Sequence, residues 1–134
     1  MRLTALFPLL LCATPLVAQT SDDTDLLTGV SHDLALTCLA LWVSDLEDEG
    51  AGSNTADKAK EIVYFSRLIA QKATAAAAAK FATSFAEKLD FYRATQAAMD
   101  NPATREEADM ELTGSGKMCW FQVLVAEGGP YEGQ

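Results

Sequence analysis

The feature that most limits the fold of this 134-residue chain is the placement of its three cysteines. Cys12 lies in an N-terminal segment with the pattern of an export signal, so the mature chain keeps the pair Cys38 and Cys119. An even pair of cysteines in a chain delivered to an oxidising compartment favours one disulfide. Two free buried thiols are the alternative. A disulfide between these positions would tie the middle of the first predicted helix to the last predicted element of the domain.

The N-terminus has the three parts of a secretory signal. Arg2 supplies the positive charge, residues 3–13 are mostly apolar, and Leu16-Val17-Ala18 has the small final residue that signal peptidase cleaves after. The apolar run is shorter than the roughly 20 residues that span a bilayer. We therefore predict a cleaved signal peptide over 1–18, a periplasmic or secreted protein, and no membrane segment after cleavage.

The charge balance restricts the class of partner. The chain has 19 Asp and Glu against 10 Lys and Arg, a formal charge of -9 and a pI near 4.4. Nucleic acids and anionic membrane surfaces are bound through clustered Lys and Arg, which this chain lacks. The composition therefore indicates no nucleic-acid or membrane ligand, and it makes a basic protein the expected partner.

The order of polar and apolar stretches divides the mature chain into three parts. With 49% hydrophobic residues, the chain can bury one core. The predicted parts are a flexible acidic lead-in over 19–30, a helical domain over 31–126 and a disordered tail over 127–134.

Apolar residues that recur every three or four positions predict at least four helices. The first runs from the cap Ser31 to Glu49 and is followed by the turn 50–54, and the second starts at Thr55. The third carries a stripe of four aromatic or aliphatic residues, and Pro102 starts a fourth that runs to about Leu112. The stripe consists of Phe81, Phe85, Leu89 and Tyr92.

Three parts of this prediction concern the connections between helices and the last element. Ala73-Thr74 either caps the third helix or lies inside one helix that continues from the second. Residues 113–116 are expected to form a loop. Residues 117–126 fit a short helix or a buried strand, and helix is favoured because no second strand is visible to pair with it. The fold class predicted is all-α, a small disulfide-tied bundle of four to five helices, with Trp42 and Trp120 packed around the disulfide.

The C-terminal end of the first helix carries Asp45, Glu47, Asp48 and Glu49. The negative end of the helix dipole favours Lys or Arg instead, and Asp45 and Glu49 are like charges one turn apart. A local rule that is broken without visible compensation is where functional sites are expected. These four carboxylates are the candidate partner-binding site; the alternative is a solvated helix end.

Catalytic and metal-binding patterns are not apparent. The only histidine, His32, adjoins Asp33, which points in a different direction on a helix, so it is read as an exposed turn residue. The run 45–50 has the early spacing of an EF-hand loop, but its twelfth position is Ala56, which cannot supply the required carboxylate. We predict no catalytic residue, no metal site and no cofactor.

In outline the mature chain resembles small periplasmic helical proteins with one disulfide, including acid-stress chaperones and the helical immunity proteins that neutralise type VI secretion effectors. The signal, Cys38, Cys119, the helical spacing between them and the segment 62–68 carry this resemblance. No functional residue is carried over from these families.

The function expected first is that of a non-enzymatic protein-binding module of immunity or inhibitor type. The alternative is an acid-stress chaperone, in which protonated carboxylates loosen the helix packing and expose Phe81, Phe85 and Leu89. A small enzyme has the least support, since a catalytic constellation needs more than scattered carboxylates.

Overall fold

The computed structural model describes residues 30–50, 54–125 and 128–131. The predicted signal peptide and residues 19–29 of the predicted lead-in lie outside these ranges. The described part contains helices and no strand, which confirms the all-α, disulfide-tied bundle. The helices are α1 (His32–Glu49), α2 (Thr55–Lys72), α3 (Ala75–Ala98) and α4 (Arg105–Cys119), followed by a π-helical segment (Trp120–Val125) and a 3₁₀ turn (Gly129–Tyr131).

Local capping signals set the helix boundaries. The Ser31 side chain accepts a hydrogen bond from the Leu34 amide at 3.0 Å, and α1 ends at Gly50, whose φ of 63° suits glycine. Thr74 caps α3 in the same way, by accepting from the Ala77 amide at 3.1 Å. The second and third helices are therefore separate, which settles the alternative left open by the sequence.

Helix α1 is the centre of the bundle. It packs against α2, α3 and α4, and its buried residues occupy more than one of its faces. Cys38, in the middle of α1, forms the predicted disulfide with Cys119 at the end of α4, across 81 positions of sequence. The core is completed by the fully buried Phe65 of α2 and Val123 of the π-helical segment. The buried residues of α1 are Ala35, Leu36, Cys38, Leu39, Ala40, Leu41, Trp42 and Ser44.

The prediction of a loop at 113–116 is wrong, because α4 continues through these residues to Cys119. Ser115 is buried there, accepts a hydrogen bond from the Tyr92 hydroxyl at 3.1 Å and donates one to Glu111 at 2.9 Å. These hydrogen bonds stabilise the helical conformation of residues 113–116, which local helix propensity alone does not favour. Residues 117–125 are helical, as favoured over a strand. Helix α4 begins at Arg105 rather than Pro102, since residues 99–104 form the turn after α3.

Two aromatic predictions need correction. Trp42 is buried and meets the Phe65 ring edge-on at 5.2 Å, but Trp120 is 44% exposed and does not join the core. Helix α4 is still helical at Cys119, so the next residue points about 100° away around the axis. In the predicted apolar stripe of α3, Leu89 is buried, whereas Phe81 is 36% exposed and stacks on a partly buried Phe85.

The ends of the domain are more ordered than predicted where the structure describes them. Val30, assigned to the lead-in, is fully buried against the core. Within the predicted disordered tail, Gly129–Tyr131 forms a 3₁₀ turn that packs on α2 and the π-helical segment. The Tyr131 hydroxyl donates a hydrogen bond to Glu61 at 3.0 Å, which fixes this turn to α2. The other residues of the predicted tail lie outside the described ranges, except Gly128.

Candidate functional site

The acidic end of α1 is held by cations from two neighbouring helices. Arg93 of α3 donates two hydrogen bonds to Glu47, from Nε at 2.8 Å and from Nη2 at 2.7 Å. Lys58 of α2 lies 2.7 Å from Glu49 and 3.8 Å from Asp45. The two cations supply from other helices the positive charge that α1 lacks at its own C-terminus.

The pKa values of Asp45 and Glu47 are shifted in opposite directions. Burial raises the pKa of Asp45, and the nearby Lys58 charge and the hydrogen bond from Gln96 offset this only in part. The hydrogen bonds from Arg93 lower the pKa of Glu47, and the same pairing raises the pKa of Arg93. Asp45 is therefore a partly desolvated charge within the fold, while Glu47 is stabilised in its ionised form.

Asp48 is the member of the candidate site that faces solvent. It is exposed and makes no ion pair or hydrogen bond within the part of the chain that the structure describes. The four carboxylates face two cations, Lys58 and Arg93, so this end of α1 remains net negative. The structure thus places the four predicted residues together but assigns three of them to contacts that hold the bundle.

A groove between α3 and α4 lies on the far side of the same turns of α3. Its volume is about 370 Å³. Phe91 and three alanines supply apolar surface, and two glutamates of α4 contribute carboxylates. The lining residues are Phe91, Ala94, Thr95, Ala98, Thr104, Glu107, Ala108 and Glu111. The sequence pattern places residues 107, 108 and 111 on one helical face, but it does not show that this face lies against α3.

A buried carboxylate was missed by the sequence reasoning. Glu61 is 7% exposed and accepts hydrogen bonds from the indole N–H of Trp42 and from the hydroxyl of Tyr131. Desolvation and the Glu61 charge raise the pKa of Tyr131 to about 12. The available signal was the position of Glu61 one turn before Phe65 on the buried face of α2. Its contacts join α1, α2 and the C-terminal turn, so the role they support is structural.

His32 is partly buried, so the prediction of an exposed turn residue is wrong. Its Nε2 is buried and has no hydrogen-bond partner in the described structure. It lines a cleft with Ile69, Ala73 and Phe81, because the start of α1 lies against the end of α2. The His32 imidazole therefore lies among apolar side chains.

The described ranges contain no group of three His, Cys, Asp or Glu side chains positioned to hold a metal ion. Nor do they contain a helix with the length and apolar character needed to cross a bilayer. Neither a protein-family model, nor a curated protein, nor a solved structure matches the chain significantly.

Proposed function

We propose that this chain is an exported, non-enzymatic protein-binding module of immunity or inhibitor type whose partner is a basic protein. The observation that supports it most is the set of large apolar side chains left outside the core. Five large apolar side chains of the described residues are more than half exposed. Apolar side chains that lie together on a surface mark interaction sites. The five are Val63 at 51%, Phe91 at 52%, Met110 at 63%, Phe121 at 63% and Val125 at 56%.

The charge distribution supports a basic partner. The chain carries a formal charge of -9, and the acidic end of α1 keeps more carboxylates than cations after its internal pairs are counted. Exposed charges at the edge of an interface act mainly on the rate of encounter and on the choice of partner. Asp48 is placed for such a contact because it is exposed and makes no ion pair or hydrogen bond among the described residues.

The experiment is affinity purification of the tagged mature protein from the extracytoplasmic fraction of its own host at neutral pH, read by mass spectrometry. We expect one near-stoichiometric basic protein. Asp48→Lys should reduce its recovery, while Asp109→Lys, the same charge change at an exposed position on α4, should not. Asp45 and Glu49 are unsuitable for this test because each also forms an ion pair with Lys58 within the fold. A clean preparation with nothing bound would overturn the proposal.

An acid-stress chaperone is the second candidate, and the ion pairs around α1 favour it. In each ion pair of the described residues that joins α1 to another helix, α1 supplies the carboxylate. Asp33 pairs with Lys88 at 3.1 Å, Glu47 with Arg93, and Asp45 and Glu49 both with Lys58. Because the pKa of Glu47 is lowered in the folded state, its stabilisation is present above its usual pKa of 4.5 and is lost as pH falls through the lower folded value. Acid would therefore weaken the attachment of α1.

The test of the chaperone is a pH titration with a hydrophobic dye and far-ultraviolet circular dichroism. Dye binding in acid with helix retained would support it, because the Phe81–Phe85 stack already lies at the edge of the core. A two-state loss of all structure would count against it.

A further inference from the structure

The groove between α3 and α4 is built on a face of α3 that does not contact α1. Gln96 and Arg93 of α3 reach Asp45 and Glu47 of α1, and Tyr92 is buried beside them. The groove residues of α3 follow one another at three- and four-residue steps on another face, from Phe91 to Ala98. They cover about 10 Å, or two turns of helix. The groove is thus an additional apolar surface that the bundle leaves open.

The groove is open because its residues are small apart from Phe91. Alanines at 94, 98 and 108 keep side-chain bulk out of the space between the helices. Phe91 is 52% exposed and rests edge-on against Tyr92, with ring centroids 5.1 Å apart. One aromatic face is therefore held in position by the core while much of its surface meets solvent.

The α4 side of the groove is acidic. Glu107 and Glu111 are one turn apart, and no Lys or Arg lines the groove. The Ser115 hydroxyl donates to Glu111 Oε1 at 2.9 Å and itself accepts from Tyr92, which fixes the Glu111 carboxylate at the wall. Like charges one turn apart are mutually unfavourable, and a cation placed between them would relieve this repulsion.

We propose that this groove receives a basic amphipathic helix of the partner protein. The apolar face of that helix packs on Phe91, Ala94 and Ala98, and its Lys or Arg side chains pair with Glu107 and Glu111. Helix-in-groove docking of this kind places apolar anchors at i, i+3, i+4 and i+7, a repeat that matches the two turns of α3. This inference rests on the proposed function and names its contact surface.

The acidic end of α1 lies beside the same turns of α3, on the opposite side from the groove. Arg93 and Gln96, which contact α1, lie on the other face of the helix from the groove residues Ala94 and Thr95. The α1 carboxylates therefore act on a partner in the groove only at long range, by adding to the negative charge that attracts a basic protein.

The experiment measures binding of a fluorescein-labelled lysine–leucine peptide of about four helical turns, by fluorescence anisotropy with the full mature protein in low salt. A peptide with glutamate in place of lysine is the probe control. The test variants are Glu107→Gln with Glu111→Gln, and Phe91→Ser. The matched control is Glu106→Gln with Asp109→Asn, the same loss of charge at positions of α4 outside the groove. Circular dichroism and melting curves check that each variant is folded.

We expect saturable binding of the lysine peptide, about tenfold weaker in the Glu107/Glu111 variant, since each exposed pair changes a dissociation constant by up to about fivefold. Phe91→Ser should weaken it about tenfold because it removes the apolar anchor. The control variant should bind like the wild type. Binding that does not saturate, that is equal for the glutamate peptide, or that falls as much in the control as in the test variants would overturn the inference.

The outcomes separate this inference from the proposed function. If the native partner copurifies with the Phe91→Ser and Glu107/Glu111 variants as well as with the wild type, the groove is not its site, although the protein remains a binding module. If the peptide behaves as expected and no native partner copurifies, the groove binds basic helices and the proposed function fails.

Discussion

Breaking the disulfide between Cys38 and Cys119 should destabilise the bundle by a large part of its total stability. The two residues are 81 positions apart, and both are fully buried. In the chain-entropy model, closing a loop of this length removes about 15 cal/mol/K from the unfolded ensemble, or about 4.5 kcal/mol at 25 °C. Small domains are stable by about 5–15 kcal/mol, so the reduced protein should be close to unfolding.

The assay is urea unfolding followed by circular dichroism, with oxidised protein and with protein reduced in denaturant and refolded under reductant. Reduced wild type is the cleanest comparison because it keeps both sulfur atoms in the core. The double variant Cys38→Ala with Cys119→Ala removes the bond without adding a buried hydroxyl, and it should show the same loss plus a cavity cost. We expect the free energy of unfolding to fall by about 4.5 kcal/mol on reduction, and a thermal melt of the same samples to show a melting temperature lower by roughly 20 °C.

The slope of the unfolding curve adds an independent check on the mechanism. A chain without the crosslink should be more expanded when unfolded, so the urea m-value should rise on reduction. An oxidised and a reduced protein with the same midpoint and the same slope would refute the reasoning, because the crosslink would then not restrict the unfolded chain.

Four further predictions concern single residues. Gly114→Ala should raise the free energy of unfolding by about 0.5–1 kcal/mol, because this glycine is inside α4 with open space where a Cβ would go. Gly50→Ala should lower the free energy of unfolding by about 1 kcal/mol, because φ is 63° at this position. Urea unfolding measures both changes. Asp45→Asn should stabilise the protein at neutral pH, since burial raises the pKa of this carboxyl. The gain in free energy of unfolding should vanish in acid, where Asp45 of the wild type is itself protonated. A gain that persists in acid would contradict this prediction. The near-ultraviolet tyrosinate signal should show a pKa near 12 for Tyr131, and Glu61→Gln should lower this pKa toward 10. An unchanged pKa in the variant would show that Glu61 does not act on the Tyr131 hydroxyl.

Features that depend on neighbouring residues in sequence were predicted well. Ser31 caps α1 and Gly50 ends it, because an N-cap hydroxyl and a left-handed glycine act within one turn. The cysteine pairing also followed, since only two cysteines lie outside the predicted signal peptide.

Features that depend on contacts between helices were not predictable in the same way. Residues 113–116 look like a loop until Tyr92 meets Ser115, and Trp120 looks like a core residue until the length of α4 is known. The acidic end of α1 seemed uncompensated because Lys58 and Arg93 come from other helices. Periodicity identifies which face of a helix is buried, but it does not identify the helix that covers that face.

The central claim is that this acidic bundle recognises a basic protein by charge and then docks it on apolar surface. The most direct measurement is the association rate constant of the mature protein with its copurified partner at increasing NaCl concentration, by stopped-flow fluorescence. Electrostatic steering predicts a rate that falls by about tenfold or more between low and high salt, with a much smaller change in the dissociation rate. An association rate that does not change with salt would contradict the account.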